Sequence, residues 1–142
     1  LIGMNLIYAA CAYPFGKLAD WVRHTTLLAW GLVLLIAADA LLAYSNQWTW
    51  VWAGISLWGL HMAMTQGLLA TMVAATAPEN LRGTAFGFFN LMSGLAMLVA
   101  SALAGWLWDQ FGASFTFVAG TVFSVLALGL LLLRPNRLLP KQ

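Results

Sequence analysis

The sequence predicts an all-α membrane protein with four full transmembrane helices and a truncated one. Three observations support this prediction. Of the 142 residues, 63% are hydrophobic and only 7% are charged, whereas a soluble domain carries roughly 25% charged residues. The apolar residues form long runs that are almost free of charge, as helices crossing a bilayer require. The positive charges, finally, all fall in alternate connections between those runs.

Five apolar segments follow one another along the chain. They cover residues 1–16, 25–43, 49–76, 84–108 and 114–133. A helix needs about 20 residues to cross the hydrocarbon core, and the first segment has the length of a span cut at its start. We therefore expect a fragment of a longer membrane protein, with a complete small membrane protein as the alternative. Strands of a membrane β-barrel are about 10 residues long and alternate apolar with polar residues, so helices are favoured.

The positive charges indicate how the predicted helices are oriented. The Lys and Arg residues lie in the connections after the first and third segments and in the tail 134–142: Lys17, Arg23, Arg82, Arg134, Arg137 and Lys141. The connections after the second and fourth segments contain none. Because loops rich in Lys and Arg stay in the cytoplasm, we expect a cytoplasmic C-terminus and a location in the bacterial inner membrane.

The composition also argues against several classes of function. A net charge of +2, without a basic stripe, gives no indication of nucleic-acid binding. The chain has a single cysteine, Cys11, so it has no disulfide framework. It offers no activated nucleophile, paired carboxylates, metal cluster or phosphate loop. We therefore expect no enzymatic activity, no metal and no cofactor.

Two of the basic connections carry motifs. Gly16-Lys17-Leu18-Ala19-Asp20, followed by Arg23, resembles the loop signature G-x-x-x-D-[RK]-x-G-[RK] of the major facilitator superfamily (MFS). Pro78-Glu79-Asn80-Leu81-Arg82-Gly83 resembles the P-x-x-x-R-G connection that precedes the fifth and eleventh helices of that family. The order of the motifs fits two intervening spans.

The resemblance implies the C-terminal part of a twelve-helix MFS transporter, from helix eight to helix twelve, in a helical bundle. Its partners would be the lipid bilayer, a small-molecule substrate and the missing N-terminal half of the same transporter. The resemblance also implies that the two cytoplasmic loops contribute to gating, through Gly16, Asp20, Arg82 and Gly83. Gly16 is suited to ending a helix. Arg82 has simple cytoplasmic anchoring as an alternative role.

Polar side chains inside apolar helices indicate where a substrate would bind, because they are costly at membrane depth. The third segment places His61 near the membrane midplane, with Thr65 one turn further on the same face. The candidate substrate-binding residues are His61, Thr65, Gln66, Asn90, Asn5 and Tyr8. Their alternative role is hydrogen bonding between helices. Asp39 lies near the outer end of the second segment, where we expect it at the membrane interface.

These features predict a secondary transporter of a small solute or drug-like compound. It would work by alternating access of two repeats around a midplane site, with protons exchanged through His61. The alternative is a small structural or assembly protein of the membrane without transport activity.

Overall fold

The computed structural model describes residues 2–19, 21–44 and 47–133. These ranges contain five α-helices, which in chain order are α1 (Ile2–Ala19), α2 (His24–Tyr44), α3 (Trp48–Thr76), α4 (Arg82–Phe111) and α5 (Ala113–Leu133). A short 3-10 turn at Glu79–Leu81 leads into α4. No strand occurs in these ranges, and the predicted all-α class is confirmed.

Three of the described helical segments are long and apolar enough to cross a membrane. They are α2, the stretch Glu79–Phe111 that includes α4, and α5. Polar side chains such as Asn5 and Lys17 in α1, and His61 and Gln66 in α3, lower the mean hydropathy of the other two helices. The predicted count of four full spans and a truncated one is therefore not confirmed.

Two helix ends differ from the expected boundaries. The helix α1 continues past Gly16 through Lys17 to Ala19, three residues beyond the end expected for the first segment. Lys, Leu and Ala all favour helix, and nothing at Gly16 forces the backbone out of it. The helix α4 extends to Phe111, beyond the expected end at residue 108. It is followed by Gly112, whose φ of 86° is readily adopted by glycine but not by other residues.

The helix α2 lies between two neighbours, because it packs against both α3 and α5. In turn, α3 also packs against α1, while α4 contacts α5 and, less extensively, α3. The polypeptide therefore places α3 between α1 and α2. No residue of α4 is buried in the described part of the chain.

Close backbone approach and a small apolar cluster hold α3 to its neighbours. A Cβ at Gly59 of α3 would lie only 2.8 Å from the Met4 carbonyl oxygen of α1, so the two backbones nearly touch. Leu27 of α2 and Met64 and Leu68 of α3 form a buried cluster. Between helices in a bilayer, such contacts stabilise the pair mainly through van der Waals packing. This packing fixes which face of α3 meets α2.

Candidate functional site

His61 lies in the interface between α2 and α3 rather than on a free surface. Its ring atom Nδ1 is 2.7 Å from the Gly31 carbonyl oxygen of α2. Because a carbonyl oxygen only accepts, Nδ1 must carry the proton, and in the neutral ring Nε2 is then an acceptor. The predicted site residue therefore makes a direct hydrogen bond between two helices.

The second ring nitrogen of His61 remains available. Gly31 is the ring's hydrogen-bond partner among residues 2–19, 21–44 and 47–133. No side-chain nitrogen or oxygen in those ranges is both fully buried and unbonded. It follows that Nε2 keeps contact with the space outside the helix pair, where it can accept a proton or a hydrogen bond.

Thr65 lies one turn from His61, and its hydroxyl already forms a hydrogen bond within α3. Its Oγ1 donates to the His61 carbonyl oxygen at 2.8 Å, and the residue is buried. Its methyl carbon Cγ2 stands 2.6 Å from the position that a Cβ at Gly31 would take. In this arrangement Thr65 contributes packing against α2, and Gly31 is the residue that makes room for it.

The other candidate substrate-binding residues are not gathered around His61 by hydrogen bonds. Gln66 follows Thr65 on α3 and is exposed, as are Asn5 on α1 and Asn90 on α4, while Tyr8 of α1 is half-buried. In the described part of the chain, the side chains of these four residues form no hydrogen bond with another residue. Their polar groups are thus free to meet a solute or a further part of the protein.

Asp39 occupies a position that the sequence did not indicate. It is only 5% exposed and lies among helices, while its expected depth near the outer membrane interface stays a prediction. The Trp58 side chain of α3 lies beside its carboxylate. On its other side, Oδ2 lies 2.7 Å from where a Cβ at Gly120 of α5 would stand. One side chain of α2 therefore meets both neighbouring helices.

One feature of the sequence did mark Asp39 as a residue of interest. Asp39 is the sole charged residue of α2, and an acidic group within an apolar helix is a functional candidate by default. Its distance from the helix end suggested the interface instead. The partners Trp58 and Gly120 lie on other helices, and neither is unusual enough in the sequence to be linked with Asp39.

Three of the predicted gating residues lie at described helix ends, Gly16 near the end of α1 and Arg82 and Gly83 at the start of α4. Gly16 and Lys17 belong to the last turns of α1, and the Lys17 ammonium lies 5.4 Å from the centre of the Tyr13 ring. Arg82 and Gly83 open α4 and are exposed. Asp20 and the basic tail 134–142 lie outside the described residues. The gating role of Gly16, Asp20, Arg82 and Gly83 stays a prediction.

The described helices can be compared with the usual side-chain groupings of metal sites. Within residues 2–19, 21–44 and 47–133, no three His, Cys, Asp or Glu side chains come together in a way that could hold a metal ion. The His61 ring and the Gly31 carbonyl are brought together in a hydrogen bond between two helices.

Comparison with known proteins identifies the family. The family model of the Major Facilitator Superfamily matches residues 1–142. An MFS-type transporter of Methanocaldococcus jannaschii is 32% identical over 129 residues, which cover 91% of this chain and 32% of that protein. The lysosomal dipeptide transporter MFSD1 of Bos taurus is 31% identical over 131 residues, covering 90% of this chain and 26% of that protein.

The same transporter from Danio rerio is 35% identical over 132 residues, covering 89% of this chain and 28% of that protein. The chain thus spans no more than 32% of the length of these relatives. No solved structure matches. The helical fold, the apolar helices and these matches agree, and the chain belongs to the Major Facilitator Superfamily, whose members are integral membrane transporters and not enzymes.

Proposed function

We propose that this chain is part of a secondary active transporter that moves a small organic solute across the membrane by alternating access. The solute binds at the level of His61, and protons are exchanged through its ring. The chain supplies the last five helices of the transporter, and an N-terminal half supplies the facing repeat. The C-terminus is cytoplasmic and the protein resides in a bacterial inner membrane.

The observation that carries this proposal is the state of the His61 ring. Its Nδ1 is held by the Gly31 carbonyl oxygen at 2.7 Å. A histidine fixed through one nitrogen is oriented, and the other nitrogen is then available for a proton or a solute group. Polar groups at membrane depth are costly and are retained where they act. His61 combines a fixed orientation with an available acceptor.

The relatives suggest a class of solute. The MFSD1 proteins are named lysosomal dipeptide transporters, so short peptides are the first compounds to test. A dipeptide carries an ammonium group, and Nε2 of a neutral His61 can accept a hydrogen bond from it. The exposed amides of Gln66 and Asn5 offer both donors and acceptors for the remaining polar groups of such a solute.

The gating loops complete the proposal. Gly16, Asp20, Arg82 and Gly83 form the cytoplasmic gate, in which Asp20 pairs with a cation when the cytoplasmic side is closed. The exposed side chain of Arg82 at the start of α4 supports a role at a surface that opens and closes. Replacement by Lys would keep the charge but lose the two parallel bonds that Arg makes to a carboxylate.

Transport in proteoliposomes tests the proposal. The full-length protein is reconstituted, and uptake of radiolabelled dipeptides and other small solutes is measured with and without a pH gradient. We expect uptake by the unaltered protein and a reduction of about tenfold or more in His61→Ala, the equivalent of losing one hydrogen bond of about 1.4 kcal/mol.

The matched control is His24→Ala, because His24 is the other histidine of the chain and begins α2, seven residues before Gly31. Its uptake should stay within about twofold of the unaltered protein, because His24 lies outside the proposed solute site. Equal uptake by His61→Ala and the unaltered protein, at equal amounts in the membrane, would reject the role of His61. Absence of uptake for every solute would favour a structural or assembly protein.

A further inference from the structure

Asp39 is a buried acidic group that the proposed transport site does not use. It is 5% exposed and belongs to α2, which packs against both α3 and α5. On the side of α5, a Cβ at Gly120 would lie 2.7 Å from Oδ2 and 3.3 Å from the carboxyl carbon. The contact therefore has no room for a methyl group, and a water molecule cannot enter between this oxygen and α5 while the two helices are packed.

The helices around Asp39 provide no Lys or Arg to balance a negative charge. Neither residue type occurs in the sequences of α2, α3 and α5. The other titratable groups on these helices are His24 and Tyr44 of α2 and His61 of α3, and α5 contributes none. The first two lie at the ends of α2. The third faces Gly31, which is about 12 Å from Asp39 along the α2 axis.

An ionised carboxylate is costly in such surroundings. A charge taken out of water loses its hydration, and this loss is offset only by a close opposite charge or by hydrogen bonds to the charged group. A neutral carboxylic acid avoids most of the cost, and its O–H can also donate a hydrogen bond. Because α5 keeps water from Oδ2 of Asp39, the packed arrangement of α2 and α5 suits the protonated acid.

We propose that Asp39 is a proton-binding site separate from His61: its carboxyl holds a proton while Gly120 of α5 lies against Oδ2, and it releases that proton to water when α5 moves away from α2. Proton binding and the contact with α5 then favour each other. The packed arrangement binds one proton more than the separated one, so low pH favours packing and high pH favours separation. This inference does not rest on the proposed transport function.

Infrared spectroscopy of the full-length protein in lipid detects the proton directly. A protonated carboxyl group has a carbonyl stretching band that shifts in deuterium oxide and that a carboxylate lacks. Spectra of Asp39→Asn are subtracted from those of the unaltered protein over a series of pH values. We expect the acid band of Asp39 at neutral pH, where an aspartate in water is ionised, and its disappearance in alkaline buffer. The same subtraction with Asp109→Asn, at an exposed position of α4, should show no acid band at neutral pH.

The variant Gly120→Ala keeps the carboxyl and tests its link to α5. The added methyl must push α5 away from Oδ2, which admits water and makes the carboxylate less costly. The acid band should therefore disappear at a pH lower by about one unit or more, which corresponds to a roughly tenfold weaker hold on the proton. Gly129→Ala on the same helix is the matched control, because nothing lies within 4 Å of its Cβ position. It should titrate as the unaltered protein does.

Two results would overturn the proposal. One is the absence of an acid band of Asp39 at neutral pH. The other is equal titration of Gly120→Ala and Gly129→Ala, because the proton would then be independent of α5. If Asp39→Asn does not accumulate in the membrane, the comparison of the two glycine variants decides, since both keep the carboxyl. No solute is used in these measurements, so absence of transport would reject the proposed function and leave the result for Asp39 unaffected.

Discussion

Gly31 of α2 lies directly against Thr65 of α3, so closely that a Cβ on Gly31 would stand 2.6 Å from the Thr65 methyl carbon. The same glycine presents its carbonyl oxygen to His61 Nδ1 at 2.7 Å. Packing and hydrogen bonding of α3 on α2 thus meet at one residue. Any side chain at position 31 would disturb both.

The first prediction concerns Gly31→Ala. The added methyl must displace Thr65, whose β-branched side chain has little rotational freedom in a helix, and we expect a loss of about 1–3 kcal/mol in stability from overpacking. The measurement is the thermal unfolding of the full-length protein in detergent. Combining it with Thr65→Ser, which removes the methyl and keeps the hydroxyl, should recover most of the loss. A double variant no more stable than Gly31→Ala would show that the contact is not the cause.

A second prediction concerns the contact between α1 and α3. In Gly59→Ala the new Cβ would lie 2.8 Å from the Met4 carbonyl oxygen, and a backbone atom cannot rotate away as a side chain can. The two helices must separate, and a stability loss of about 1–3 kcal/mol is expected from overpacking. Gly67→Ala on the same helix is the control, because nothing lies within 4 Å of its Cβ position. Alanine there should be neutral or stabilise by up to about 1 kcal/mol.

The third prediction concerns the space beside Asp39. Gly120→Ala places a methyl 2.7 Å from Oδ2 and should destabilise the protein by about 1–3 kcal/mol. In an Asp39→Ala background the carboxylate is gone, so the same change should cost much less. Contacting residues usually show coupling energies of about 0.5–3 kcal/mol in such cycles. Strictly additive effects, determined from chemical unfolding in mixed micelles, would mean that the two side chains do not meet.

A fourth prediction concerns the junction of α4 and α5. Gly112 has φ 86° and ψ 174°, a region that is essentially restricted to glycine and costs other residues about 1–3 kcal/mol. We expect Gly112→Ala to lower the thermal unfolding temperature, and Gly112→Asn to do so as well, since asparagine tolerates the left-handed helical region but not this one. Gly105→Ala, inside α4 with open space around it, is the comparison. Equal unfolding temperatures for Gly112→Ala and Gly105→Ala would refute the explanation.

Local features of the chain were enough to predict the helices. The apolar run that precedes Tyr44 predicted α2 to within a residue or two, and the Pro78 motif marked the connection before α4. The departure at Gly16 shows where local reasoning fails. Glycine permits a helix end, but residues that favour helix follow it, and α1 continues to Ala19. A permissive residue does not by itself terminate a helix.

The candidate site was predicted only in part. The polar residues on α3 were identified from their depth in an apolar segment, and His61 and Thr65 do lie together. The partner of the His61 ring was not foreseeable, because Gly31 lies 30 positions away in the sequence and contributes only a backbone oxygen. Any residue has such an oxygen. What distinguishes Gly31 is the lack of a side chain at the point where two helices touch.

The sequence by itself determined the helical class, the helix positions and the family, because the lengths of apolar runs and the motifs between them are properties of the chain alone. Only the tertiary structure decided the surroundings of Asp39. The sequence indicated only that the residue lies near one end of α2, whereas the structure shows that it is buried with Oδ2 against Gly120 of α5. Burial of one side chain depends on the rotation and spacing of three helices, and these follow from the packing of all their contacts together.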